Sequence, residues 1–347
     1  VALNTSATFQ GNWTLSPGGS KIGVTGDSSA VMSGTVGAVA GLAILDVSAN
    51  STLELRGDVL LGTSGLAKTS PGPVTFSSAV NLSGPIDIQA GSVEFSSSGS
   101  SINAMVRVAS GASLQLTSNP AWGAASALTG NGTVQGNLTM PGSIAPGDST
   151  AGTLLVDGNF TFTGSSDLVI EIGGVLPGQF DLLDIDGSAV LDGTLSVALV
   201  NLGGGLFQPQ LGNSFGFLDA LFSTSGAFDS LMLPSLSSGL GWQLSSVGTT
   251  TFLSVVSSFA ADFDNDGDVD GADLLQWQSD FGGLGSDANG SGISDGADFL
   301  IWQRQFSGGV LAGASTAAVP EPTSLMLMLA ALASARRTAR HPIAQSH

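Results

Sequence analysis

Cysteine and tyrosine are missing from this 347-residue chain, and its two histidines, His341 and His347, lie at the extreme C-terminal end. The first absence removes any disulfide framework, thiol nucleophile or cysteine-based metal site. Without an imidazole ahead of residue 341, neither a Ser-His-Asp triad nor a histidine-ligated zinc can be assembled in the body. Cations are scarce as well: eight Lys and Arg stand against 27 Asp and Glu, a net charge of −19. Such a surface repels a phosphate backbone, which excludes nucleic acid as a partner. For catalysis only carboxylates are left.

Hydrophobic residues supply 42% of the chain, enough for a substantial core, and charged residues only 10%. Glycine, at 50 positions, shares the polar remainder with Ser, Thr and Asn, a mixture suited to short strands and tight turns. The opening Val1-Ala2-Leu3-Asn4 has neither an initiator Met nor a signal peptide, as expected of a processed N-terminus or a fragment.

From residue 1 to 258 short apolar runs alternate with Gly, Asn, Asp, Ser and Pro. Thr153-Leu154-Leu155-Val156 precedes Asp157-Gly158-Asn159, and Ala189-Val190-Leu191 precedes Asp192-Gly193. The strict alternation in Thr194-Leu195-Ser196-Val197-Ala198-Leu199-Val200 marks a strand with one buried face. The body reads as all-β, and sandwich, propeller and solenoid all fit that pattern. Glycine-rich steps without long loops, such as Gly130-Asn131-Gly132-Thr133-Val134-Gln135-Gly136-Asn137-Leu138, favour stacked rungs.

That segment resembles the autotransporter-associated β-strand repeat proteins of bacteria. Their passenger regions share Gly-x-Gly-x-Val-x-Gly-x-Leu, here Gly130 to Leu138, followed by Ile-x-Pro-Gly, here Ile144-Ala145-Pro146-Gly147. Gly152-Thr153-Leu154, Asp157-Gly158-Asn159-Phe160 and Phe180-Asp181-x-Leu183-x-Ile185-x-Gly187 extend the likeness, which covers residues 120–256 and continues before them in texture. The resemblance implies a right-handed β-helix closed by a β-rich cap at about 201–258, with Phe215 and Trp242 in the cap.

Asp181, Asp184 and Asp186 form the densest carboxylate group of the body. Such a group could serve a glycoside hydrolase, but strand ends and an Asp186-Gly187 turn account for it more simply. Trp13, Phe76, Phe95 and Trp122 read as core or end-cap residues rather than sugar platforms.

Composition changes at residue 262. Asp262, Asp264 and Asp266 take positions 1, 3 and 5 of a 12-residue calcium loop, with Gly267 at 6, the Asp268 carbonyl at 7, Asp270 at 9 and Asp273 at 12. A second copy follows: Asp287, Asn289, Ser291, Gly292, Asp295 and Asp298 fall at 1, 3, 5, 6, 9 and 12, with the Ile293 carbonyl at 7. Hard oxygen donors in this spacing call for Ca²⁺. The second site, with Ser291 at 5 and polar Ser294 at 8, is expected to be the weaker. Each loop runs into a matching helix, Ala272-Asp273-Leu274-Leu275-Gln276-Trp277 and Ala297-Asp298-Phe299-Leu300-Ile301-Trp302.

The missing entering helix and Asp at position 12 make residues 259–309 look like a type I dockerin. In that family calcium folds the module, and positions 10 and 11 help to recognise a cohesin. Here those positions hold Gly271-Ala272 and Gly296-Ala297 in place of the usual Ser-Thr type.

After a linker at 310–318, residues 319–347 hold Pro320-Glu321-Pro322, an apolar run from Thr323 to Ala335, and Arg336-Arg337. Helical, that run spans about 20 Å, short of a bilayer core of about 30 Å. The order resembles the PEP-CTERM sorting signal of exported bacterial proteins. The resemblance implies transient inner-membrane association, recognition by an exosortase-type enzyme, and a cell-surface, envelope or extracellular-matrix location.

Two functions are expected from these features. One is an exported, non-catalytic surface protein whose β-helical body carries a calcium-folded interaction module, with a cohesin-like or envelope protein as partner. The other is a polysaccharide-degrading enzyme, a glycoside hydrolase or lyase, or a carbohydrate-binding accessory subunit attached through the module, with extracellular polysaccharide as ligand.

Overall fold

In the computed structural model of the chain, residues 2–3, 6–15, 21–38, 41–148, 150–237 and 239–306 are described. The chain divides into two compact units, Val1–Asp268 and Val269–His347.

The first unit is a β-solenoid. Its strands join in sequence order to three faces in turn, so that every third strand lands on the same sheet. One face is an 11-stranded sheet running from Ala2–Leu3 to Ser230–Met232, and the next is a 12-stranded sheet that begins at Ala7–Phe9. The third is broken into sheets of three, three and four strands. Pairing within the stack is parallel, as in Val93↔Leu114 and Ile86↔Val106. Parallel neighbours require a crossover between them, and here that crossover is one turn of the solenoid. Hydrogen-bonded partners on adjacent turns lie 20 to 23 residues apart in pairs such as Ser28–Ser51, Val80–Ser100 and Gly62–Ser83, and 29 apart in the later pair Asn159–Ser188.

Period-two alternation builds the core. Strands such as Ala43–Val47 and Asp167–Ile172 bury every second side chain, and the buried set stacks turn upon turn. Phe76 lies flat on Phe95 one turn away, with ring centroids 5.2 Å apart and planes at 10°. At the corners, Asn side chains take up backbone groups that the ladders leave open. Asn137 Oδ1 accepts the Asn159 N–H at 2.9 Å, and Asn159 Oδ1 accepts the Ser188 N–H at 2.9 Å. The expected Gly130-to-Leu138 motif is one such corner. Gly130, at φ +117°, pairs with Gly147, and a Cβ there would run into the Val108 carbonyl oxygen.

The parallel stack ends in antiparallel structure. Ser214–Ala220 adds in parallel to Leu182–Ile185, then pairs antiparallel with Thr250–Ser257, which forms a hairpin with Leu240–Val247. Phe215, fully buried, contacts the rings of Phe180, Phe207 and Trp242 and plugs this end.

Among the described residues of the second unit there are two helices, α1 (Gly271–Asp280) and α2 (Gly296–Gln305). No described helix is long and apolar enough to cross a membrane. The helix expected over 323–335, the Pro-Glu-Pro segment and Arg336-Arg337 lie outside the described residues.

Candidate metal centre

Each helix is started by the residues that close the loop before it. Asp270 is the N-cap of α1: its carboxylate accepts the Ala272 N–H at 2.6 Å, while its own N–H donates to Asp273 Oδ2 at 2.8 Å. Asp295 and Asp298 repeat this at α2, with 2.7 Å for both bonds. These reciprocal pairs are capping boxes. Loop positions 9 and 12 are therefore also the N-cap and third residue of a helix.

The loops share one backbone trace. Asn265 and Gly267 have φ of +60° and +101°, and their counterparts Gly290 and Gly292 have +71° and +86°. Asp262 accepts the N–H groups of Asp266 (3.1 Å) and Gly267 (3.0 Å). In the second loop, Asp287 likewise accepts those of Ser291 (2.9 Å) and Gly292 (2.6 Å). Position 3 joins in through Asp264 and Asn289, which accept the same position-5 N–H at 3.3 and 2.8 Å. The position-1 and position-3 side chains of each loop thus converge on the position-5 N–H.

Among the described residues, two carboxylate triads could hold a metal ion, and both belong to the first loop. Asp262, Asp264 and Asp273 bring oxygens within 4.8 Å of one another, and so do Asp268, Asp270 and Asp273. Asp273 is fully buried and common to both triads; Asp262 is buried too. An all-oxygen donor set with buried carboxylates suits a hard divalent cation. In the second loop Asp298 is fully buried, but Ser291 Oγ donates to the Ile293 carbonyl at 3.2 Å, tying together two expected ligands.

The helices meet through aromatic rings. Trp277 contacts Phe281 and Phe299, and Trp302 contacts Phe299 and Phe306. Phe281 and Phe306, at the two ends of this row, remain exposed.

Asp181 is 1% exposed, and its oxygens accept the backbone N–H groups of Gly152 and Glu171. Burial pushes its pKa up to about 7, against the pull of those two N–H donors. Asp184 lies within Leu182–Ile185 rather than at its end, beside Asp219 of the next turn. Its pKa is raised by burial and by the charges of Asp186 and Asp219. Phe76 and Phe95 are fully buried and Trp122 is 7% exposed, which places them in the core.

One buried cation has no counterpart in the sequence reading. Lys68 follows Leu66 and Ala67 in a short strand and stacks between Leu45 and Ile88, facing inward. Its ammonium donates to the carbonyls of Ser70 and Ala90. Burial lowers its pKa to about 8, opposed by the charge of Asp46.

Over 100 residues the chain is 34% identical to the adhesin BmaC autotransporter of Brucella suis biovar 1 (strain 1330). The match takes in 28% of this chain and 3% of that much longer protein. No protein-family model matches the chain. The similarity and the parallel solenoid together fit an autotransporter-associated β-repeat body.

Proposed function

We propose that this is an exported, non-catalytic surface protein in which a β-solenoid carries a calcium-folded, dockerin-like loop-and-helix module. The observation that carries the reading is the repeated loop geometry around the Asp262, Asp264 and Asp273 triad, in which Asp262 and Asp273 are buried. Six aspartates within twelve residues repel one another, and a bound cation removes that repulsion. Because positions 9 and 12 also cap a helix, the charge that fills the loop fixes the helix start as well. Calcium would thus order the surface that meets a cohesin-like or envelope partner.

The surface location is supported by the similarity to an autotransporter adhesin and by the likeness of residues 319–347 to a PEP-CTERM signal. Processing near Pro320-Glu321-Pro322 by an exosortase-type enzyme belongs to the same proposal. A non-catalytic body is supported by Asp181, whose buried carboxylate is occupied by two backbone amides and lies out of reach of a substrate.

Calorimetry of the full chain after chelation tests the reading. Two calcium-binding events are expected, the first loop's tighter, with a gain of helical signal; Asp273→Ala removes the tighter event. A chain that takes up no calcium overturns the proposal.

A further inference from the structure

The indole N–H of Trp302 donates to the Asp270 carbonyl at 2.9 Å, and that of Trp277 donates to the Asp295 carbonyl at 3.0 Å. These are equivalent residues of the duplicated unit, and the bonds cross: each helix reaches back to the loop that opens the other. We infer that Trp277 and Trp302 are positioning residues that couple the two calcium loops, so that each tryptophan sets the affinity of the loop in the opposite half. The inference rests on the calcium reading above.

Both accepting carbonyls belong to the residue at loop position 9. In the loop scheme the metal takes the position-7 carbonyl and the position-9 side chain, so the position-9 carbonyl is available to an outside donor. Asp295 O also receives the Phe299 N–H at a long 3.4 Å, within the two-bond capacity of a carbonyl oxygen. The peptide unit so held is a sensitive one. Its residue presents one expected ligand and caps the helix through Ala272 or Ala297, and its N–H binds the position-12 carboxylate.

The donors are themselves fixed. Phe281, Trp277, Phe299, Trp302 and Phe306 form an unbroken row across both helices, with successive centroids 5.2, 5.0, 5.5 and 4.8 Å apart. Phe299 of α2 lies between the two indoles, so a turn of either ring presses on the ring that the other contacts. A loop ordered by calcium fixes its position-9 carbonyl, that carbonyl fixes the indole of the other half, and the ring row connects the two indoles. Coupling of this kind is reciprocal between the sites.

Simple packing would need only the rings; coupling needs the N–H groups. The full chain is therefore titrated with Ca²⁺ by calorimetry as wild type, Trp302→Phe and Trp277→Phe, with Asp273→Ala identifying the first loop's event. Trp302→Phe should weaken the first loop's event about 3- to 10-fold, the factor a net hydrogen bond supplies. Trp277→Phe should weaken the second loop's event to a similar extent. In wild type labelled with ¹⁵N-tryptophan, the Trp302 indole resonance should move with filling of the first loop and that of Trp277 with filling of the second. This measurement decides the matter even if a variant fails to fold. Weakening confined to the mutated half, unchanged affinities, or indole resonances that ignore the opposite loop overturn the coupling while leaving calcium binding in place. Absence of any calcium uptake by wild type overturns both.

Discussion

Asp181 Oδ2 accepts the backbone N–H of Glu171 at 2.8 Å across a ten-residue excursion, while Oδ1 of the same carboxylate holds the N–H of Gly152 at 2.8 Å. One buried side chain thus ties the end of strand Asp167–Ile172, the start of Thr153–Asp157 and the start of Leu182–Ile185 into a single corner.

A pH dependence follows from that burial. The folded pKa of about 7 stands above the unfolded value of 3.8, so the folded state holds this proton more tightly. The associated stability is fully present below about pH 4 and is lost as pH rises toward 7. Asp181→Asn should remove this part of the slope in urea unfolding followed from pH 4 to 8. Because the amide presents one acceptor to two N–H groups, it should also cost about 1–3 kcal/mol at acid pH. An unchanged slope would show that the carboxylate is not protonated in the fold.

Lys68 gives the opposite trend. Its folded pKa, about 8, is below the ordinary 10.5, so above pH 8 the folded state carries less charge here than the unfolded chain. Stability from this group grows between pH 8 and about 10.5 and is lost as pH falls through 8. Lys68→Met keeps the stem in the core and removes the titration. Its unfolding free energy should be flat relative to wild type across that range, and a retained rise assigns the effect elsewhere.

The Phe76–Phe95 stack is a test of turn-to-turn packing. Phe76→Ala empties a fully buried ring site and should destabilise by about 3–5 kcal/mol. Since each turn of a solenoid contacts only its neighbours, amide exchange should accelerate first in strands Thr52–Leu55, Val74–Phe76 and Ser92–Phe95. Uniform acceleration along the stack would mean that the body unfolds as one cooperative block.

Gly130→Ala forces a side chain into a backbone region that disfavours it and against the Val108 carbonyl. A loss on the order of 1–3 kcal/mol from the dihedral alone is expected, with further loss from the contact. Gly204→Ala, where a Cβ meets nothing, is the control. Equal thermal midpoints for the two variants would refute this account of the corner.

Much of this was legible along the chain because the causes are local. Alternation in Thr194–Leu199 is written in consecutive residues, although of its apolar side only Leu195 is fully buried and Val197 and Leu199 are partly so, and the turn that follows Leu191 is announced by Asp192-Gly193. The duplicated loops were readable for the same reason. Twelve consecutive positions carry the donors, and both copies adopt left-handed backbone at positions 4 and 6. The resemblance was clearest after residue 120, yet the same three-faced stack begins at the first described strands. Before residue 120 the corners are more varied: Ser51 Oγ accepts the Ser28 N–H, Asn12 Oδ1 accepts the Thr35 N–H, and Gly34 and Gly57 lie close against Gly11 and Gly34.

The sequence by itself therefore determined the strand period, the turn positions and the duplicated loops, since each depends on residues within a dozen places of one another. Only the tertiary structure decided that Lys68 points into the core and that Asp181, expected at a strand end, is a buried tie between strands. It alone decided, too, that each indole bonds to the opposite loop. Those outcomes depend on partners beyond the local pattern: Ala90 on the turn after Lys68, Gly152 29 residues before Asp181, and Asp270 32 residues before Trp302. Which atoms meet across such distances is set by stacking register and helix docking, and neither is encoded in any short window of the chain.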